Sequence, residues 1–321
     1  MLAVRTRWWA FTLNAGCCVI SHLIGFLLAI SPTMAEVIEH RIPNVLHALE
    51  PEDGVPLIFD SPHSGTTFPD GFSCNATPWQ LRVNVDVHVD ELFSHVVRQG
   101  AGLLRALFPR TFIDANRSVL EIDPSMLEEP WPGPLIESRK TKVGMGLFRR
   151  HIVPGVLMYD RPLAVEAVRS RIDTYHAPYH QLLSDMLDRA HARHGAVWHV
   201  NCHSMKSAGA SMNIDEGKRR PDFVVSDLDG KTSGPAFLVF TAESLRAMGY
   251  EVSVNYPFRG AELINRFGDP SGNRHSIQIE INRALYLDEK TYEKSIDFEV
   301  LRTDLTALSA KMVVFVEQTS G

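Results

Sequence analysis

Cysteine is scarce in this chain. Four occur in 321 residues, at Cys17, Cys18, Cys74 and Cys202, with neither the C-x-x-C spacing of a structural zinc site nor the density of a disulfide scaffold. A reducing compartment suits that usage. An excess of one charge is also missing: 32 lysines and arginines stand against 38 aspartates and glutamates, a net charge of −6. The balance gives no global reason to expect nucleic acid or an anionic membrane surface as partner. Any anionic substrate must therefore meet local cations. Beyond residue 34 there is no repeat of fixed period, no low-complexity stretch and no long Gly/Ser linker, which leaves an ordinary globular body. The G-x-S-x-G pattern is absent around Ser64 and Ser204, against a serine hydrolase. His176 and His180 are four apart, but Pro178 interrupts them and no glutamate completes H-E-x-x-H, so that pair reads as packing.

The first 33 residues differ from the rest. Arg5 and Arg7 precede an uncharged run from Trp8 to Ile30, closed by Ser31-Pro32, with the basic start and apolar centre of an export signal. The run is also long enough to span a bilayer. Thr33-Met34-Ala35 offers a small-x-small cleavage site, while Met34 serves equally as a translation start. The division expected is a leader over 1–33 and one catalytic domain over 34–321; without the leader's two arginines the body carries −8. In that body short apolar runs alternate with helical spacing, which predicts an α/β fold. Strands are expected at Pro56–Phe59, Thr111–Ile113, Ala196–Val200, Phe223–Val225, Ala236–Phe240, Val252–Val254 and Ser276–Ile281. Helices are expected over Leu163–His194 with a break at Pro178, over Val87–Arg98 and over Tyr292–Glu317, and Asp123–Gly146 reads as a long irregular loop.

Chemistry gathers where strands end. His63 follows an apolar run inside Ser61-Pro62-His63-Ser64-Gly65, and His203 leaves the alternating stretch Val197–Met205. In an open α/β sheet such exits build the crevice that binds ligands. Asp86-Val87-His88-Val89-Asp90-Glu91 supplies carboxylates, with Asp86 and Asp90 on one face if a helix starts there. Two imidazoles and one carboxylate are a hydrolytic zinc set that leaves a fourth position open. In Ser276–Asn282 the isoleucines alternate, so Gln278, Glu280 and Asn282 share the other face. A carboxylate on so apolar a strand needs a cation, a metal or a wet site beside it. Glu280 is thus a candidate general base, or else an ion-pair partner of Arg283 or Arg274.

Four segments in this order, Ser61–Gly65, Phe112–Arg117, Asn201–Met205 and Gln278–Arg283, resemble the N-formylglutamate amidohydrolase family; Pro221–Phe223 and Arg266–Pro270 are similar too. The resemblance runs from about Leu57 to the C-terminus. It implies a mixed sheet between helices, similar to the zinc carboxypeptidases and aspartoacylases, one zinc ion per chain, and hydrolysis of N-formyl-L-glutamate to formate and L-glutamate. It implies His63, Asp86 and His203 as metal ligands, with Asp90 and Glu91 as the other carboxylate choices, and Glu280 as general base. Asn116 and Arg117 resemble a pair that holds a substrate carboxylate; the alternative is an Asp114–Arg117 ion pair. A second carboxylate calls for a second cation, and Arg259, Arg274 and Arg283 are the choices, Arg274 being taken. Another N-acyl amino acid as substrate, and a non-catalytic binder of such compounds, are the competing functions. No obligatory protein partner is implied. A role in histidine catabolism follows from the resemblance, and with it a cytoplasmic location, export being the alternative.

Overall fold

The computed structural model describes residues 36–211 and 213–319, so the expected leader lies outside the described residues. The described residues form ten strands: β1 (Val37–Ile42), β2 (Leu46–Pro51), β3 (Leu57–Ser61), β4 (Gly102–Ala106), β5 (His151–Val153), β6 (Val156–Leu157), β7 (Val197–Met205), β8 (Phe223–Ser226), β9 (Val252–Val254) and β10 (Arg274–Asn282). Eight of them make one mixed sheet in the order β1-β2-β4-β3-β7-β10-β8-β9, with β5 and β6 as a separate hairpin. The central strands β4, β3, β7 and β10 run parallel, while β2 and β8 pair antiparallel on either side of them. The fold is therefore mixed α/β. Among the described residues no helix is long and apolar enough to cross a membrane.

Among the described residues eight α-helices accompany the sheet: α1 (Pro78–Arg82), α2 (Val89–Leu92), α3 (Arg139–Lys142), α4 (Val165–Arg171), α5 (Ala177–His194), α6 (Pro235–Ala247), α7 (Glu262–Phe267) and α8 (Phe298–Thr319). Alternation along the central strands splits the core in two. Phe59, Val200, Ile277, Ile279 and Ile281 pack with Phe237 and Leu245 of α6 and Leu301, Leu305 and Met312 of α8. On the other side Ile58 and Leu104 pack with Tyr179, Leu183, Met186 and Leu187 of α5. Burying both faces of parallel strands is what confines them to sheets covered by helices.

Two expected strands are absent. Ala236–Phe240 lies within α6, where Pro235 occupies the first turn and Phe237, Thr241 and Leu245 recur every four residues toward the core. A short apolar run does not by itself separate a buried helix from a strand. Thr111–Ile113 is a buried turn: the Phe112 N–H donates to the Pro109 carbonyl and the Asp114 N–H to the Leu147 carbonyl, both at 2.9 Å. Its residues are apolar because they are covered, not because they are extended. The expected break at Pro178 takes the form of a π-helical turn, Ile172–His176, between α4 and α5. Pro178 has no N–H to continue the ladder, and the wider turn absorbs the missing bond. The loop after Asp123 contains α3, and the C-terminal helix begins at Phe298 rather than Tyr292.

Ile279 is fully buried on the face that meets α8. Ile279→Ala should lower unfolding free energy by about 2–5 kcal/mol in urea titration; a loss below about 1 kcal/mol would show that this face is not a packed core.

Candidate active site

The parallel strands all end on one edge of the sheet, and local hydrogen bonds fix what stands there. After β3, Pro62 leads into a turn at His63-Ser64-Gly65. Gly65 leaves no room for a side chain, since a Cβ there would stand 2.4 Å from the Leu107 carbonyl carbon. Ser64 Oγ donates to the Asp86 carbonyl at 2.9 Å and accepts from the Asp90 N–H at 3.2 Å, while the Asp86 N–H donates to the His63 carbonyl at 3.0 Å. The turn and the Asp86 segment are thereby one unit. Asp86 precedes α2, separated from it by His88 in the left-handed region (φ 64°). It does not share a helix face with Asp90, which pairs with Arg105, and Glu91 pairs with Lys294. Of the three carboxylates, Asp86 joins the two histidines.

His63, Asp86 and His203 are buried, and one donor atom from each lies within 4.8 Å of the others. Tautomers follow from the outer hydrogen bonds. His63 Nε2 donates to Asp114 Oδ1 at 2.6 Å. His203 Nε2 donates to Asn201 Oδ1 at 2.6 Å, and Asn201 is itself oriented by its Nδ2 donating to Asp60 Oδ1 at 2.7 Å. Both Nδ1 lone pairs then face Asp86 Oδ2, at 3.4 Å from His63 and 3.1 Å from His203. His63 Nδ1 is buried without a hydrogen-bond partner. Lone pairs aimed at one another repel unless a cation lies between them, and tetrahedral bonds of about 2.0–2.1 Å put donor atoms about 3.3 Å apart. The three residues fit a zinc ion. Burial alone would raise the Asp86 pKa, but the neighbouring His203 and His63 rings and the charge of Arg283, bonded to its other oxygen, hold it well below the usual carboxylate range.

Register completes the arrangement. In the parallel β7/β10 pair Ser276 lies beside His199, Gln278 beside Asn201 and Glu280 beside His203. Glu280 accepts from Gln278 Nε2 at 2.9 Å, and no cation pairs with it among the described residues. Burial raises its pKa, helped by Asp86 and opposed by His203. Lower on the same face, Asp60, His199 and Ser276 make a triad-like chain with bonds of 2.8 and 2.7 Å, but all three are fully covered and Tyr179 and Asn201 also bond Asp60. That network is structural. Ser64 is held by Asp86, and Ser204 accepts from Arg283 Nε at 3.0 Å, so neither serine has a histidine base.

A cavity of about 510 Å³ opens above these residues. Arg117 lines it, with Nε donating to the Met145 carbonyl and Nη1 to the Asn116 carbonyl. Asp114 does not pair with Arg117; it binds Arg110 at 2.9 Å and His63. Asn116 also lines the cavity, yet its Nδ2 donates to Asn201 Oδ1 at 3.2 Å and its Oδ1 accepts from Leu263 N–H, so both ends are engaged by protein. The structure does not bring Arg274 to this site. It begins β10, at the strand end opposite Glu280, and pairs with Asp188 at 2.7 Å. Arg283 is tied to Asp86 Oδ1 at 2.9 Å and Arg259 to Asp229. Arg149, a buried cavity-lining arginine, and Lys140 are not among the expected site residues. Lys140 falls in the expected loop, and Arg149 lies three residues beyond its end at Gly146.

A passive binder has no use for a buried carboxylate without a cation beside two histidines, whereas proton transfer during hydrolysis needs one. That places the chain among hydrolases built on a mixed α/β sheet. The model of the N-formylglutamate amidohydrolase family matches residues 55–287. An N-formylglutamate amidohydrolase of known structure from Ralstonia eutropha is 40% identical with a TM-score of 0.82, covering 86% of this chain and 99% of its own. N-formylglutamate deformylases from Pseudomonas aeruginosa and Pseudomonas putida are 27% and 26% identical, over 74% and 73% of this chain and 84% and 83% of theirs. The chain belongs to the N-formylglutamate amidohydrolase family, a family of amide-bond hydrolases.

His176 and His180 stack at 4.0 Å and support the site from behind: His176 Nε2 donates to the Arg117 carbonyl at 2.9 Å and His180 Nε2 to the Ala115 carbonyl at 2.7 Å. Burial pulls their pKa values down to about 4 and about 3, with His176 adding to the effect on His180. Between pH 6.5 and 4 the unfolded chain therefore binds protons that the folded one does not, so stability is lost as pH falls. The melting temperature should drop across that window, and more shallowly in His176→Gln/His180→Gln; identical slopes would contradict the assignment.

Proposed function

We propose that the protein hydrolyses N-formyl-L-glutamate to formate and L-glutamate, with one zinc ion held by His63, Asp86 and His203. The observation that carries this is the convergence of two imidazole Nδ1 atoms on Asp86 Oδ2, with Glu280 next to His203 in register. The names of the relatives supply the substrate. Zinc in this place supplies Lewis acidity toward the formyl carbonyl and lowers the pKa of water toward about 7.

The chain's own residues do the rest. Asp114 and Asn201 fix the imidazoles, and Arg283 holds Asp86 by its other oxygen. Glu280, with its pKa raised, takes a proton from the attacking water and returns it to the leaving nitrogen. Arg110, whose Nε is buried without a partner, sets a fixed positive charge near Asp86 and Glu280, where negative charge develops on the carbonyl oxygen. Arg117 holds the α-carboxylate through the guanidinium edge left free, and Asn116 positions it by bridging to Asn201 and Leu263. All these groups lie within the single catalytic domain assigned to residues 34–321.

Elemental analysis of the purified protein should find about one zinc, or a divalent substitute, per chain, and release of L-glutamate should stop on chelation. Glu280→Gln should keep the metal and lose about 10²–10⁴-fold in kcat, while His63→Ala and His203→Ala lose both. Full turnover without metal would overturn the reading, as would metal retained in both alanine variants.

A further inference from the structure

Arg149 is among the most confined cations of the protein. It is 5% exposed and lines the cavity, yet no described carboxylate pairs with it and its Nε is buried without a hydrogen-bond partner. A buried guanidinium left alone costs several kcal/mol of desolvation. Four other cavity arginines have carboxylate partners: Arg110 has Asp114, Arg220 has Asp215, Arg283 has Asp86 and Arg259 has Asp229; Arg139, also without one, is exposed. Two acids that line the cavity are engaged elsewhere: Glu121 accepts from Ser118 N–H at 3.2 Å and Glu262 lies 4.0 Å from Arg266.

From α3 a second cation, Lys140, lines the same cavity, and it has no ion pair either. Burial brings its pKa down to about 7, and the charges of Arg117, Arg149 and Arg110 add to the fall. Burial likewise lowers Arg149 to about 9, with Arg110 and Arg117 on the same side of the balance and Asp114 against it. Three cations, Arg117, Arg149 and Lys140, thus line one pocket without an ion-pair partner among the described residues. Such a pocket is complementary to a ligand bearing two negative charges.

We infer that Arg149, assisted by Lys140, binds the side-chain carboxylate of the substrate and sets the preference for an acidic side chain, while Arg117 takes the α-carboxylate. This rests on the reaction proposed above and names what selects its substrate. A planar guanidinium suits a carboxylate, and a site built to bond one rejects the neutral amide strongly, because the buried cation is then left unpaired.

The test compares kcat/KM for N-formyl-L-glutamate, N-formyl-L-glutamine, neutral at the side chain, and N-formyl-L-isoglutamine, neutral at the α-carboxyl, using the metal-loaded full chain. The native enzyme should favour the diacid over the side-chain amide by about 100-fold or more. Arg149→Met should cut that ratio at least about tenfold and leave the ratio against the α-amide within about twofold; Arg149→Lys should fall between. Thermal melting checks the fold, and loss of an unpaired buried charge should hold or raise the melting temperature. An unchanged side-chain ratio in folded Arg149→Met overturns the assignment, as does a fall confined to the α-amide ratio. If the native enzyme cleaves none of the three, the proposed reaction fails instead, and melting with glutarate decides on Arg149. A smaller glutarate shift in Arg149→Met supports the site, and an equal shift overturns it.

Discussion

Two hydrogen bonds that do not touch the cavity govern what the cavity can do. Asp114 accepts a hydrogen bond from the Nε2–H of His63, and Asn201 Oδ1 accepts one from that of His203. Each imidazole is left with its Nδ1 lone pair turned to Asp86, and the common target of those lone pairs is a cation. The lock on His203 extends deeper than the site: Asn201 is oriented by Asp60, which is also held by His199 and Tyr179. A network that looks structural therefore decides a tautomer. Its cost in buried polarity is met because every group in it finds a partner.

The same economy of partners runs along the sheet. One face of β7 and β10 carries His199, Asn201 and His203 beside Ser276, Gln278 and Glu280. At its lower end these groups satisfy one another; at the upper end His63 Nδ1 and Gln278 Oε1 remain without partners. The change from satisfied to unsatisfied marks where protein gives way to ligand. A one-residue slip between β7 and β10 would send Glu280 to the apolar face and abolish the site. Further out the character reverses. The acids Asp86, Asp114 and Glu280 lie at the strand ends, and Arg117, Arg149 and Lys140 line the cavity around them. The cavity is thus polarised between a cation-seeking floor and an anion-seeking wall.

Much of this was legible in the sequence where periodicity and chemistry agree. The isoleucine alternation of Ser276–Ile281 gave the strand, its buried face and the exposure of Glu280 to the site; His63 and His203 were legible as strand exits. Ala236–Phe240 was misread because a helix buried between a sheet and α8 is as apolar as a strand, and Thr111–Ile113 because a covered turn is too. Among the candidate second cations nothing in the sequence separates Arg274 from Arg259 and Arg283; it is six residues from Glu280 along the chain, yet six residues of strand carry it about 20 Å away at about 3.3 Å each. Arg149 was passed over because its meaning lies in what it lacks, a partner, and that is a property of three dimensions.

The central claim is that the two Nδ1 atoms and Asp86 hold a zinc ion. Anomalous diffraction at the zinc edge, from crystals of protein purified without chelators, tests it most directly. A single peak within bonding distance of His63 Nδ1, His203 Nδ1 and Asp86 Oδ2 is the predicted result; an active enzyme with no peak there, or a peak bonded through either Nε2, would contradict it.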